Sequence, residues 1–361
     1  MKRLPLVQSP MLGGRVLQHW RLRQRDDFAD LVKAKLFVTK RCNLNCVHCG
    51  IGEAAFDGST DLSTEQVLRI WQENPELQIV SLSGGEPFLR DDLIEIGVGA
   101  VESLPNLMVL TVNTNGYFTE KVVAFAEAVG SRMPRGTRLI ITCSSDGPEP
   151  THGTIRRDPE SYARKERTVT ALLELKKRVP RLRVKHNVNV NRWNIETVAD
   201  YIEEKEKRGE PCFVSLYSAS RHYSHKKKHF QELEAFRAEI AQRTLLRRLR
   251  RTKSGLFPRR FLALAEGFYE EGERKQPLPC FSLRASVIIE ADGMVRPCIN
   301  FPVDLGKVQD FGFRLRDVVR TEKSNKTREL IRCEKCPVCW TPNEAFVTMM
   351  CNLPNPKLWK P

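Results

Sequence analysis

The chain has 361 residues, 41% of them apolar, and a formal charge of +15 at neutral pH. That apolar content suffices for one large core or two smaller ones, which excludes a disordered tail and fits a main domain with an appended unit. No run of eighteen apolar residues occurs, and Met1 to Trp20 lack an apolar stretch with a small-residue cleavage site, so neither a membrane span nor export is expected and the chain is expected to be cytoplasmic.

Residues 1–34 form an N-terminal segment in which Trp20, Phe28 and Leu31 stand among arginines. This reads as a helix packed on the main domain, with peripheral contact to a membrane surface as the alternative. From 35 to 217, β-branched apolar runs at 36–39, 79–82, 107–111, 139–143, 184–188 and 213–216 alternate with helical spacing at 64–72, 91–102, 120–129, 161–177 and 194–207. Repeated βα units imply a parallel sheet, either doubly wound or an open or closed barrel, with the chemistry at the carboxyl ends of the strands. Residues 218–279 read as a basic helical bridge, with helices at 229–251 and 258–270. Its runs Lys226 to Lys228, Arg247 to Lys253 and Arg259-Arg260 fit solvated helix faces; an anionic substrate or a membrane surface is the alternative, and nucleic acid is not expected because no RNA-binding signature accompanies them. Residues 280–361 open with alternating runs at 285–290 and 294–297 around Ala291-Asp292-Gly293, a hairpin signal, and continue as a small cysteine-rich β-hairpin/α unit.

Eleven cysteines without an export signal argue for metal or cluster binding rather than disulfides. Cys143 and Cys212 lie inside apolar strand runs and read as small buried hydrophobes. Cys42, Cys46 and Cys49 follow the first strand on one tight loop. Three thiolates on a four-iron cluster leave one iron open to a ligand, whereas a structural zinc would need a fourth protein ligand to close its tetrahedron. Ser83-Gly84-Gly85-Glu86-Pro87 follows the second strand, where two glycines permit close approach of backbone to a ligand and Glu86 offers an acceptor.

This pair of motifs, in place and order, resembles the radical S-adenosylmethionine (SAM) superfamily. The resemblance covers about 35 to 216 and implies a partial (βα)6 barrel in which a 4Fe-4S cluster on Cys42, Cys46 and Cys49 cleaves SAM reductively to give a 5′-deoxyadenosyl radical. It further implies that Gly84, Gly85, Glu86 and Pro87 meet the SAM amino group, that Asn115 after the third strand and Ser144, Ser145 and Asp146 after the fourth belong to the SAM site, and that Asn189 after the fifth lies near adenine. Arg156 is a candidate partner for the SAM carboxylate, or else a surface arginine.

Cys280, Gly293 and Cys298 resemble the opening of the C-terminal extension called SPASM, or its shorter form, twitch. The continuation Cys333, Cys336, Cys339 and Cys351 departs from that pattern, with the third cysteine early and Asn343 where a further cysteine is usual. Six thiols are too few for two fully ligated clusters, so one auxiliary 4Fe-4S cluster is expected, with two incompletely ligated ones as the alternative. Its ligands would be Cys280, Cys298, Cys333 and Cys336, or Cys333, Cys336, Cys339 and Cys351; a zinc ribbon is the competing reading.

The function expected from this resemblance is that of a radical SAM oxidoreductase or maturase that oxidises or cross-links a peptide or protein side chain, supplied with electrons by a flavodoxin or ferredoxin. The short segment before the barrel leaves no room for a leader-binding module, which weighs against a peptide. Dehydrogenation or epimerisation of a sugar, aminocyclitol or lipid-type molecule is the second reading, and a non-enzymatic electron-transfer protein the third. The catalytic base is unassigned among Tyr217, His222, Tyr223, His225, Asn300 and Asp304.

Overall fold

The computed structural model describes residues 31–54, 56–218, 227–241, 244–253, 255–270 and 275–359. Six parallel strands, β1 (Lys33–Thr39), β2 (Ile79–Gly84), β3 (Val109–Thr114), β4 (Arg138–Ser144), β5 (Leu182–Val190) and β6 (Cys212–Leu216), lie side by side in chain order. Between them run α1 (Thr64–Glu73), α2 (Leu93–Ser103), α3 (Thr119–Arg132), α4 (Glu149–Arg156), α5 (Ser161–Arg178) and α6 (Val198–Lys207). Along the strands side chains alternate between the two faces of the sheet. Ala34, Leu36, Val38, Val80, Leu82, Leu110, Val112, Leu139 and Ile141 join one core with Val67, Ile70 and Trp71 of α1 and with Phe125 of α3. The residues between them, Lys33, Lys35, Ser81, Thr111 and Thr142, lie on the opposite, concave face. The entry to α1 shows how local sequence sets an element: Ser63 and Gln66 form a reciprocal capping box ahead of apolar residues at helical spacing.

The expected bridge is helical: α7 (Lys227–Ala241), α8 (Leu245–Thr252) and α9 (Leu256–Glu270). Leu245, Leu246 and Leu249 of α8 are buried, and its arginines point outward to partners within the chain. Arg248 pairs with Asp200 and Glu203, and Arg247 and Arg250 with Glu266, so much of that charge run is matched internally.

The C-terminal strands extend the same sheet. β7 (Ser286–Ile289) pairs in parallel with β1, from Lys33 opposite Ser286 to Leu36 opposite Ile289. β8 (Met294–Arg296) and β9 (Gly306–Lys307) follow antiparallel, giving the order β6-β5-β4-β3-β2-β1-β7-β8-β9. β7 thereby covers an edge of β1 that would otherwise expose unpaired backbone. Then come α10 (Leu315–Val319), α11 (Glu322–Arg332) and α12 (Pro342–Cys351). α12 returns to the bridge, where Phe261 stacks on Trp340 and Phe346.

Leu31 is fully buried in the main core, which removes it from any membrane-facing surface; Trp20 and Phe28 lie outside the described residues. Among the described residues no helix is long and apolar enough to cross a membrane.

Candidate active site

Beyond Thr39 the chain turns through Lys40 and Arg41 into the loop of Cys42, Cys46 and Cys49, and the segment after β2 holds that turn in place. The Gly85 amide donates to the Thr39 carbonyl at 2.9 Å and the Glu86 amide to the Arg41 carbonyl at 2.8 Å. Gly84 adopts φ +147°, and a Cβ on it would lie 2.1 Å from the Thr39 oxygen; a Cβ on Gly85 would lie 2.1 Å from the Arg41 oxygen. The close approach these glycines permit is therefore to the chain's own backbone, the lead into the thiol loop.

Glu86 is fully buried and uses both oxygens within the chain. Oε1 accepts from the Thr114 hydroxyl at 2.8 Å and the Phe88 amide at 3.2 Å, and Oε2 from the Asn115 amide at 2.7 Å. Burial pushes its carboxyl up to about 7 against the pull of those bonds. Pro87 opens the short turn Pro87–Leu89. The Asn115 side chain donates to Asn43 Oδ1 at 2.9 Å. Asn43, inside the thiol loop, is a site residue that carries no signal in the sequence beyond its place between two cysteines.

At the end of β4, Ser145 is buried, its hydroxyl 2.8 Å from His186 Nδ1, while His186 Nε2 lies 2.8 Å from Glu210. Ser144 stands beside it, half-buried. Asp146 is fully buried; its Oδ2 accepts from Arg156 Nε at 2.6 Å. Arg156, at the end of α4, is itself buried and directs Nη1 to Cys46 Sγ at 3.6 Å, so it is not a surface arginine. Burial pushes the Asp146 carboxyl up, but the adjoining charges, Arg156 first among them, outweigh it and hold it below the usual range. Burial holds His152 down to about 3, hence neutral, and its Nδ1 accepts from the Asp146 amide at 3.1 Å, which leaves the proton on Nε2. Asn189, near the end of β5, bonds Ser215 through its side chain, and its carbonyl accepts from Asn194, which also reaches the Asp146 carbonyl at 2.8 Å. Asn194 and His186 are further residues not singled out from the sequence.

Burial pushes the Cys42 thiol up to about 11, Cys49 up to about 12, and Cys46 up likewise. As free thiols they stay protonated at neutral pH, so iron must displace the protons on binding. The donor set suits the group: three thiols share one loop at a strand end. Asp146 Oδ1, just past β4, and Asn187 Oδ1, in β5 opposite Ser144, are buried acceptors without a protein donor. SAM carries amine and hydroxyl donors that such acceptors would receive.

A second set of thiols lies on the far side of β1. Cys280 precedes the β7–β8 hairpin, Cys298 follows it, and Cys336 and Cys339 sit between α11 and α12. Burial, then Glu344 and after it Cys339 and Cys336, pushes the Cys280 thiol up; burial, then Cys339, Glu344 and Cys280, pushes Cys298 up; and Cys336 is raised by burial and by Cys339. Cys333 stands apart, exposed at the end of α11 and donating to Glu329 at 3.1 Å. Cys351 is buried among Val32, Phe281, Ala285 and Val347. Neither of the two ligand sets expected from the sequence therefore matches this grouping, since both include Cys333. Asn343, where a further cysteine is usual, is engaged by Lys33: its carbonyl and Oδ1 accept from Lys33 Nζ at 2.5 and 3.1 Å. Among the described residues no three His, Cys, Asp or Glu side chains are arranged to hold a single metal ion.

Of the base candidates, Tyr217 is buried between Trp193 and Phe236, Asp304 is paired with Arg296, and Asn300 accepts from the Ser218 hydroxyl. His222, Tyr223 and His225 lie outside the described residues. Lys33 and Lys35, missed in the sequence, are buried on the concave face, and burial lowers both to about 8.

A profile of the radical SAM superfamily matches residues 36–204, and one for an iron-sulfur cluster-binding domain, SPASM, matches 280–340. Over 100 residues the chain is 32% identical to a probable GTP 3',8-cyclase of Archaeoglobus fulgidus, covering 27% of this chain and 32% of that protein. The match thus spans about a third of that relative's length. In fold the chain is similar to Streptococcus suis SuiB, with a TM-score of 0.58 at 15% identity over 91% of this chain and 76% of that one. It is also similar to anSMEcpe with bound AdoMet, with a TM-score of 0.54 at 17% identity over 86% and 88%. The chain carries a radical SAM superfamily domain followed by a C-terminal SPASM iron-sulfur cluster-binding domain, the signature of an enzyme that works with a 4Fe-4S cluster and SAM.

Proposed function

We propose that the chain oxidises or cross-links a side chain of a peptide or protein, holding the SAM-cleaving cluster on Cys42, Cys46 and Cys49 and one auxiliary 4Fe-4S cluster on Cys280, Cys298, Cys336 and Cys339. When bound, cluster and SAM supply a radical able to take a hydrogen atom from substrate. The chain's own residues do the rest. Gly84, Gly85 and Glu86 fix the turn that carries Cys42, Asn115 pins the loop through Asn43, and Asp146 and Asn187 present acceptors to SAM. Ser144, Ser145 and Asn189 complete the rim that receives it, and a flavodoxin or ferredoxin is the proposed reductant.

The observation that supports this reading is the pairing of β7, the strand between Cys280 and Cys298, with β1, which leads into the three-thiol loop, together with the electrostatic reach of Cys339 and Cys336 to Cys280. An auxiliary cluster held there would supply an acceptor for the electron left after hydrogen abstraction. A peptide substrate is supported by the solved neighbours, since SuiB has been captured with precursor peptide SuiA and anSMEcpe with the Cp18Cys peptide. The similarity to GTP 3',8-cyclases favours a second reading, a small-molecule substrate.

Anaerobically purified protein should carry roughly eight irons per chain, two four-iron clusters. With SAM and dithionite it should release 5′-deoxyadenosine. Incubated with a cell extract, it should leave a polypeptide about 2 Da lighter per oxidation; a change confined to the small-molecule fraction would select the second reading. Tightly bound zinc with about four irons would overturn the auxiliary-cluster assignment.

A further inference from the structure

Arg156 is committed within the chain before any ligand arrives. Its Nε donates to Asp146 Oδ2 at 2.6 Å and its Nη1 to Cys46 Sγ at 3.6 Å, with both partners buried. The fork that could have clamped a ligand carboxylate is thus divided between a fixed carboxylate and a thiol of the cluster loop.

We propose that Arg156, balanced by Asp146, tunes the electron affinity of the cluster that Cys46 helps to hold, and is a positioning residue for that cluster rather than a clamp for the SAM carboxylate. This rests on the reading of the Cys42 to Cys49 loop as the cluster site. Reduction adds one electron, supplied by dithionite, to the cluster; no bond to the protein forms or breaks and no proton is taken up. A buried cation donating to a ligand sulfur favours the more negative, reduced state and raises the potential. Burial leaves the effect little screened. Asp146, at 2.6 Å from the guanidinium, offsets part of it.

The two partners therefore act with opposite sign. In protein reconstituted anaerobically and followed by potentiometric electron paramagnetic resonance without SAM, R156Q should move the cluster's potential to more negative values. D146N should move it to more positive ones, and R156K, which keeps the charge but not the planar fork, should fall between the parent and R156Q. The signal belongs to this cluster if adding SAM to the parent protein changes it, because only an open iron responds to SAM. A purely structural pair would shift both variants the same way or neither, which would overturn the proposal. So would an unmoved potential in R156Q together with a SAM dissociation constant raised tenfold or more, the behaviour of a carboxylate clamp. If R156Q does not take up iron, the opposed shifts of R156K and D146N decide the matter. A parent protein lacking any SAM-responsive signal would instead refute the reading of the loop.

Discussion

Gly85→Ala tests whether the glycines after β2 serve the thiol loop. The added Cβ would stand 2.1 Å from the Arg41 oxygen, 2.7 Å from the Arg41 carbonyl carbon and 2.8 Å from the Lys40 oxygen. Non-bonded heavy atoms settle at roughly 3.5 Å, so about 1 Å or more must open, and what stands in the way is backbone rather than a flexible side chain. Overpacking of this kind costs about 1–3 kcal/mol. Displacing Arg41 also weakens the bonds at 2.9 and 2.8 Å that Gly85 and Glu86 donate to Thr39 and Arg41, each worth ~1 kcal/mol. The expected loss is about 2–5 kcal/mol, with Cys42 moved by a distance that iron ligation does not tolerate. Urea denaturation of the apoprotein and iron content after anaerobic reconstitution read the two effects. Gly267→Ala is the internal control: it lies in the interior of α9 with nothing within 4 Å of the added carbon, so it should gain ~0.5–1 kcal/mol. A Gly85→Ala protein with the parent's urea midpoint and iron content would refute the reasoning.

Three other outcomes follow from the same geometry. Cys339→Ser should lose about half of the iron, while Cys333→Ser and Cys351→Ser should keep it; loss of about four irons from Cys333→Ser would reinstate the ligand sets expected from sequence. The carboxyl of Glu210 is held down to about 2, first by its bond with His186, then by Lys205 against the cost of burial. A depressed carboxylate contributes stability above its unfolded pKa and loses it as pH falls toward the folded value. Glu210→Gln should therefore cost ~1–3 kcal/mol at pH 7 and progressively less as pH falls from about 4.5 toward 2; an equal loss in melting temperature at pH 7 and pH 4 would count against this. Ser63→Ala, removing the capping box of α1, should cost ~1 kcal/mol in urea denaturation and leave the iron content unchanged, and a loss of iron would show that α1 matters to the site in another way.

The barrel strands and most of its helices were legible because their signals are local. α4 was not, since Pro148, Pro150 and Gly153 read as breakers although Pro148 and Pro150 fall at the helix start, where proline is tolerated. β1 begins three residues earlier than its apolar run, because Lys33 and Lys35 occupy the concave face and break the pattern. The three-thiol loop was readable from spacing alone. What Gly84 and Gly85 accommodate was not, because Thr39 and Arg41 come from another strand and the turn that follows it. Nor was the fate of Cys351, whose apolar neighbours Val32, Phe281 and Ala285 lie far away in the chain. Spacing placed the C-terminal cysteines in one unit, but the choice among them depends on a hairpin whose partner, β1, lies some 250 residues earlier.

β1 is the strand on which these long-range dependencies meet. Along one edge it pairs with β2, whose glycines and Glu86 amide hold the turn into the thiol loop. Along the other it pairs with β7, the strand between Cys280 and Cys298. Lys33, at its start, donates to Asn343 at the head of α12, and the neighbouring Glu344 accepts from Ser286 of β7 at 2.7 Å. Cys339 lies only a few residues before that anchor. The position of the four auxiliary thiols relative to Cys42, Cys46 and Cys49 is thus set by backbone pairing and buried polar contacts, not by the long bridge between them in sequence. Tertiary pairing of this kind opens only with the core, whereas a loop-held unit would move freely. A fixed separation is what the proposed passage of an electron from substrate to the auxiliary site requires, and it places that requirement on β1 rather than on the cysteines themselves.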